Sequence, residues 1–150
     1  MAHHHQILEQ ERRDVLADAM ALVGRPSILV VDDEPSIGEL LGEILEDNGY
    51  RALLAHNGRT ALAIARRERP ALVLTDRNMP EMDGVELVRR LRSSPTTSGI
   101  PVILMSSVRP VVEGETIPFL EKPFDLDDML ATVASYARPT TLRPRTAGRG

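Results

Sequence analysis

The chain has no cysteine, and its aromatic residues are only two tyrosines and two phenylalanines. Without cysteine, disulfides, thiolate zinc sites and cysteine nucleophiles are all excluded, and the composition suits a reducing, cytoplasmic setting. Aromatics make up 3% of the residues against a hydrophobic content of 42%, so the core must be aliphatic. No apolar run approaches the ~20 residues of a membrane span, and the start lacks the basic and apolar regions of a signal peptide. Neither membrane association nor a leader is expected. The formal net charge of −4 argues against direct nucleic-acid binding by overall charge. The length of 150 residues suits one domain, since domains cluster near about 100–150 residues.

What is present is an alternation of apolar runs and helix-period segments. Strands are expected at Ile28–Val31, Tyr50–Ala55, Ala71–Thr75, Pro101–Met105 and a short Ile117–Leu120. Between them, Pro35–Asn48 carries Ile37, Leu40, Leu41, Ile44 and Leu45 on one helical stripe, and Gly49 suits its stop. Arg59–Arg69 points Leu62 and Ala65 inward, and Val85–Ser94 does so with Val85, Val88 and Leu91. Asp125 N-caps a last helix, Asp125–Ala137, whose inner face is Leu126, Met129, Leu130 and Val133. Near-continuous apolar strands alternating with helices predict an α/β fold. It is a five-stranded, doubly wound parallel sheet of order 2-1-3-4-5, flavodoxin-like, with ligands at the carboxyl ends of its strands.

This unit is expected over residues 27–137. Residues 1–26 read as a tag-like start, with His3, His4 and His5, followed by a helix over Gln6–Val23. There Leu8, Val15 and Leu22 recur every seven residues, which leaves a homodimer through this helix open. Residues 138–150 are rich in Pro, Thr, Arg and Gly and read as a disordered tail.

Asp32 and Asp33 end the first strand, and Asp76 ends the third, its expected neighbour. Carboxylates that close raise one another's pKa unless a cation joins them. Mg²⁺, a hard ion that takes oxygen ligands and retains waters, is the natural candidate, with Mn²⁺ as an alternative. Lys122 ends the fifth strand and brings an ammonium to the same edge. Ser106, after the fourth, brings a hydroxyl. A carboxylate nucleophile, a divalent ion, an ammonium and a hydroxyl are together what stabilises a phosphoryl group in transfer.

The segments VVDDE, LTDRNMPEMDG, VILMSS and FLEKPF, in that order, resemble the receiver domain of two-component response regulators over Ser27–Ala137. The resemblance implies that Asp76 is the phosphoacceptor. Asp33 and Asp76 would bind Mg²⁺ directly, Asp32 through water, and the Asn78 backbone carbonyl would complete the protein ligands. Lys122 would pair with the aspartate and then with the phosphate. Ser106 would be the switch hydroxyl and Phe119 the switch aromatic. The implied protein is a cytoplasmic, single-domain response regulator that promotes its own phosphorylation and dephosphorylation. Its donor would be a phosphohistidine on a sensor kinase or phosphotransfer protein, and it would switch a protein partner or relay the phosphate.

The chain departs from that pattern between Ser106 and Phe119. The interval contains Pro110, Gly114 and Pro118, and proline inside a helix costs ~3 kcal/mol. The fourth helix of the family is therefore expected to be shortened or missing, with a turn or irregular loop over Ser107–Thr116. Two other functions fit parts of the pattern. A haloacid-dehalogenase-type phosphatase also uses Asp, Mg²⁺ and Lys, but expects a second Asp where Asn78 stands. A receiver-like module used without phosphorylation would not require Asp33, Asp76 and Lys122 together.

Overall fold

The computed structural model describes residues 2–137, so the expected tail at 138–150 lies outside the described residues. The chain divides after Arg25 into two units. The first contains helix α1, Ala2–Val23. It begins ahead of Gln6 and takes in the histidine run, with His5 Nε2 3.2 Å from Glu9 Oε1. Leu8 and Val15 are exposed, while Leu22 lies outside the described side chains.

The second unit, from Pro26, holds the sheet. Its elements are β1 Ser27–Val31, α2 Pro35–Asp47, β2 Arg51–Ala55, α3 Gly58–Glu68, β3 Leu72–Asp76 and α4 Gly84–Arg92. They continue with β4 Val102–Ser106, β5 Val111–Val112, β6 Glu115–Thr116, β7 Phe119–Glu121 and α5 Leu126–Tyr136. Five strands pair in parallel in the order β2-β1-β3-β4-β7, the doubly wound arrangement expected from the alternation.

Side-chain alternation along the strands builds a core on each face of the sheet. Leu29, Val31, Val73 and Leu104 meet α3 and α4 through Ala61, Leu62, Ala65, Leu87, Val88 and Leu91. Ile28, Val30, Leu72, Leu74, Ile103 and Met105 meet α2 and α5 through Leu41, Leu45, Met129 and Val133. Both layers are aliphatic, as the scarcity of aromatics required. Side-chain caps start three helices. Asn57 accepts from Thr60 N, Asp83 from Glu86 N and Asp125 from Asp128 N, each at 2.8 Å. Gly49, at φ 95°, takes the left-handed turn after α2.

The structure corrects three expectations. Ile37, Leu40 and Leu126 are exposed rather than inward, because the buried seam of a helix lying on a sheet is narrower than its apolar stripe. The last sheet strand is Phe119–Glu121, not Ile117–Leu120. The Ile117 N–H is engaged by the Pro110 carbonyl, and Pro118 has no N–H to offer a ladder. Ser107–Thr116 is neither a helix nor an irregular loop throughout, since it contains the antiparallel hairpin β5–β6. Its turn residues Glu113 and Gly114 have φ 53° and 79°, the positive values that a tight two-residue hairpin turn needs. Among the described residues no helix is long and apolar enough to cross a membrane.

Candidate functional site

Strand β3 is buried along its whole length, including Thr75 and Asp76. Burying each of its Leu and Val side chains contributes roughly 1.5–3 kcal/mol, which offsets the cost of holding a carboxylate at the strand's end. The pairing of β1 with β3 brings Asp32 and Asp33, just beyond Val31, beside Asp76. Carboxylate oxygens of Asp32, Asp33 and Asp76 lie within 4.8 Å of one another. Asp32 is buried and Asp33 exposed.

Asp32 and Asp76 each have hydrogen-bond support. Asp32 Oδ1 accepts from Glu34 N at 2.9 Å. Burial holds the Asp32 carboxyl above the ordinary carboxylate range. The Glu34 N–H opposes this, Asp76 and Asp33 raise it further, and Lys122 lowers it. Asp76 Oδ1 accepts from Lys122 Nζ at 2.8 Å and more distantly from Asn78 N, at 3.4 Å. The pairing of β4 with β7 puts Lys122, one residue past Glu121, on the same edge as Ser106.

An all-oxygen donor set of three carboxylates suits Mg²⁺ or Mn²⁺, and the described cluster offers no sulfur or imidazole for a softer metal. The cluster opens into a cavity of about 470 Å³ lined by Asp32, Glu34, Ile37, Asp76, Met105, Lys122, Pro123 and Phe124. Exposed Ile37 sits at its rim. The space and the charge suit a small anionic group approaching Asp76 with a divalent ion beside it.

Ser106 is buried at the end of β4, and its hydroxyl is engaged by the main chain of Val108. It donates to the Val108 carbonyl at 2.6 Å and accepts from the Val108 N–H at 3.1 Å. The neighbouring Ser107 is exposed. Phe119 is half-buried and packs on the core layer of α3 and α4, with the Arg109 guanidinium 5.8 Å from its ring centroid.

Several supporting contacts were not visible from sequence. Thr75 Oγ1 donates to the Asp76 carbonyl at 3.0 Å. Arg77 N donates to the Met105 carbonyl at 3.0 Å, and Gly84 N to the Arg77 carbonyl at 2.8 Å. His56 Nδ1 lies 3.4 Å from the Asp32 carbonyl. Gly84 is required by close approach: a Cβ there would stand 2.6 Å from the Asp76 carbonyl oxygen and 2.9 Å from Arg77 Cα. Thus the first turn of α4 is packed against the main chain at the end of β3.

Comparison with known proteins agrees with this geometry. The family model for the response regulator receiver domain matches residues 28–134. The chain is 33% identical over 128 residues to the DNA-binding dual master transcriptional regulator RpaA of Synechocystis, covering 81% of this chain and 53% of that protein. It is 36% identical over 115 residues to sporulation initiation phosphotransferase F of Bacillus subtilis, covering 73% and 91%. The chain therefore spans about half the length of the first relative and nearly all of the second. The solved chemotaxis response regulator CheY4 of Vibrio cholerae superposes with a TM-score of 0.69 at 29% identity, covering 75% of this chain and 98% of that one.

Proposed function

The chain belongs to the response regulator receiver domain family, and from that premise we propose that Asp76 accepts a phosphoryl group, with Asp32 and Asp33 holding the divalent ion the reaction needs. Receiver domains are phosphoacceptor signalling domains. They take the group on an aspartate, bind Mg²⁺ through acidic residues, and interact with sensor histidine kinases or phosphotransfer proteins. The observation that carries the residue assignment is the Lys122–Asp76 contact of 2.8 Å within a cluster of three carboxylates. It marks Asp76 as the member of the cluster joined to a cation of the chain itself.

In the proposed reaction a carboxylate oxygen of Asp76 attacks the phosphorus of a phosphohistidine. A P–O bond forms as the P–N bond breaks, and the electron pair returns to the imidazole nitrogen. Lys122, already at the carboxylate, moves its ammonium to the phosphoryl oxygens as charge develops there. Asp33 and Asp76 would supply side-chain oxygens for Mg²⁺ or Mn²⁺, Asp32 would act through water, and Asn78 would give its backbone carbonyl. When bound, the ion supplies a concentrated positive charge beside the phosphoryl oxygens. Ser106 is the hydroxyl that turns toward the phosphoryl group, and Phe119 is the aromatic that follows it.

The same residues promote transfer from a small phosphodonor and later hydrolysis, so the chain assists its own phosphorylation and dephosphorylation. Similarity to the Bacillus phosphotransferase supports output by partner binding or onward transfer. Exposed Leu8 and Val15 on α1 support a dimer contact through that helix. The test is incubation with acetyl phosphate and Mg²⁺, followed by intact mass. One phosphoryl group should be gained by the wild-type chain, and none without Mg²⁺ or in Asp76→Asn. Gain of the group by Asp76→Asn at the wild-type rate would reject the assignment.

A further inference from the structure

The hairpin β5–β6 stands where the family places a helix, and it is tied to the site from two sides. On one side the chain runs from Ser106 through Val108 to Val111, with the Ser106 hydroxyl closed on the Val108 main chain at 2.6 and 3.1 Å. On the other side the hairpin tip is paired to α4. Arg89 Nε lies 3.2 Å from Glu113 Oε1, and Arg92 Nη1 lies 3.5 Å from Glu115 Oε2. Helix α4 begins at Gly84, against the main chain of Asp76 and Arg77. Asp76, α4, the hairpin and Ser106 therefore form a closed ring whose two ends meet at the phosphoryl site.

The links in this ring differ in strength. Val112 and Ile117 are buried in the core layer of α3 and α4, so the base of the hairpin is anchored. The tip is joined to α4 by exposed ion pairs, the glutamates being 68% and 72% exposed. Such pairs shift an equilibrium by about 1.5- to 5-fold each. Glu113 also holds a left-handed conformation, φ 53°, without being glycine. The Ser106 hydroxyl has one proton. It cannot donate to the Val108 carbonyl and to a phosphoryl oxygen at once.

We infer that the hairpin is a latch, ion-paired to α4 while Ser106 is bonded to Val108 and released at its tip when that hydroxyl turns to a phosphoryl group on Asp76. The inference rests on the phosphoacceptor reading above and adds to it the element that carries the signal outward. Turning of Ser106 frees the Val108 carbonyl. The leg over 107–111 shifts about its anchored base, the Arg89–Glu113 and Arg92–Glu115 pairs part, and exposed Val108 and Val111 change their presentation to a partner.

Linkage makes the latch measurable. Whatever holds the unreleased state reduces the apparent affinity for the phosphoryl group in proportion to the fraction of molecules left in the released state. The probe is beryllium fluoride with Mg²⁺, a phosphoryl mimic that does not turn over. Occupancy is titrated in the full chain and in Glu113→Gln/Glu115→Gln, while amide hydrogen exchange is followed over 107–116 and α4. The mimic should speed exchange at the hairpin tip of the wild type. The double variant should exchange faster there when free, and should reach half-occupancy at about 2- to 25-fold lower mimic concentration. The separate charge swap Arg92→Glu/Glu115→Arg, which keeps the Arg89–Glu113 pair, should stay near the wild-type value, which a general loosening of the fold would not. Equal half-occupancy in wild type and double variant, with hairpin exchange unaltered by the mimic, overturns the latch alone. Failure of the wild type to take up the mimic at all, with Mg²⁺ present, overturns the phosphoacceptor reading and the latch with it.

Discussion

Replacing Gly84 by alanine should damage both the fold and the acceptor site. An added Cβ would lie 2.5 Å from Leu104 Cδ2, 2.6 Å from the Asp76 carbonyl oxygen and 2.9 Å from Arg77 Cα. Leu104 is fully buried and the other two atoms are main chain, so no flexible side-chain end can move aside. Overpacking of this kind costs about 1–3 kcal/mol. Against it stands the helix preference of alanine over glycine, about 1 kcal/mol in a helix interior and only a few tenths at the first helical position. The net loss should be roughly 1–2.5 kcal/mol, or a fall of about 4–10 °C in melting temperature for a domain of this size. Relief of the clash must displace Asp76 or Arg77, and a misplacement near 1 Å costs about a hundredfold in rate. Phosphorylation by acetyl phosphate should therefore slow by about ten- to a hundredfold. Gly38→Ala is the control, since a Cβ there meets nothing within 4 Å. It sits inside α2 and should stabilise the chain by up to about 1 kcal/mol. A Gly84→Ala protein that melts at or above the wild type and is phosphorylated at the wild-type rate would refute this reasoning.

The carboxylates give two further tests. Asp33→Ala should weaken Mg²⁺ binding by at least about tenfold, or about 1.4 kcal/mol, in a calorimetric titration; equal affinity would remove Asp33 from the metal site. Burial and neighbouring carboxylates raise the folded-state pKa of Asp32, so its charge opposes folding. Without divalent cation, its contribution to stability should fall as pH rises from the ordinary carboxyl value, about 3.9, through the raised one. Asp32→Asn keeps an acceptor for the Glu34 N–H, so it should melt higher than wild type at neutral pH and match it under acid. A difference in melting temperature that does not vary with pH would contradict the cause given.

Sequence was most informative where burial was most complete. Strands β1, β3 and β4 are buried almost from end to end and apolar through their middles because both faces are covered, and their ends placed Asp32, Asp76 and Ser106 within a residue. Helix faces were less legible. Ile37, Leu40 and Leu126 lie on the predicted stripes, yet a flat sheet covers less of a helix than periodicity suggests. The β5–β6 hairpin was not legible at all. Two-residue strands have no period, and Glu113–Gly114 is a weaker turn signal than Asn-Gly or Asp-Gly. The bond of the Ser106 hydroxyl to Val108 and the pairing of Arg89 and Arg92 with Glu113 and Glu115 depend on that hairpin, so they too had to await the structure.

The central claim is that Asp76 carries the phosphoryl group. An acyl phosphate is reduced by borohydride to an alcohol, which converts a phosphorylated aspartate to homoserine and leaves an unmodified carboxylate alone. The chain is incubated with acetyl phosphate and Mg²⁺, reduced with borohydride, digested and sequenced by tandem mass spectrometry. The account predicts homoserine at position 76, dependent on Mg²⁺ and greatly reduced in Lys122→Ala. Homoserine at Asp32 or Asp33 with Asp76 unmodified, or stable phosphate on a hydroxyl residue instead, would contradict it.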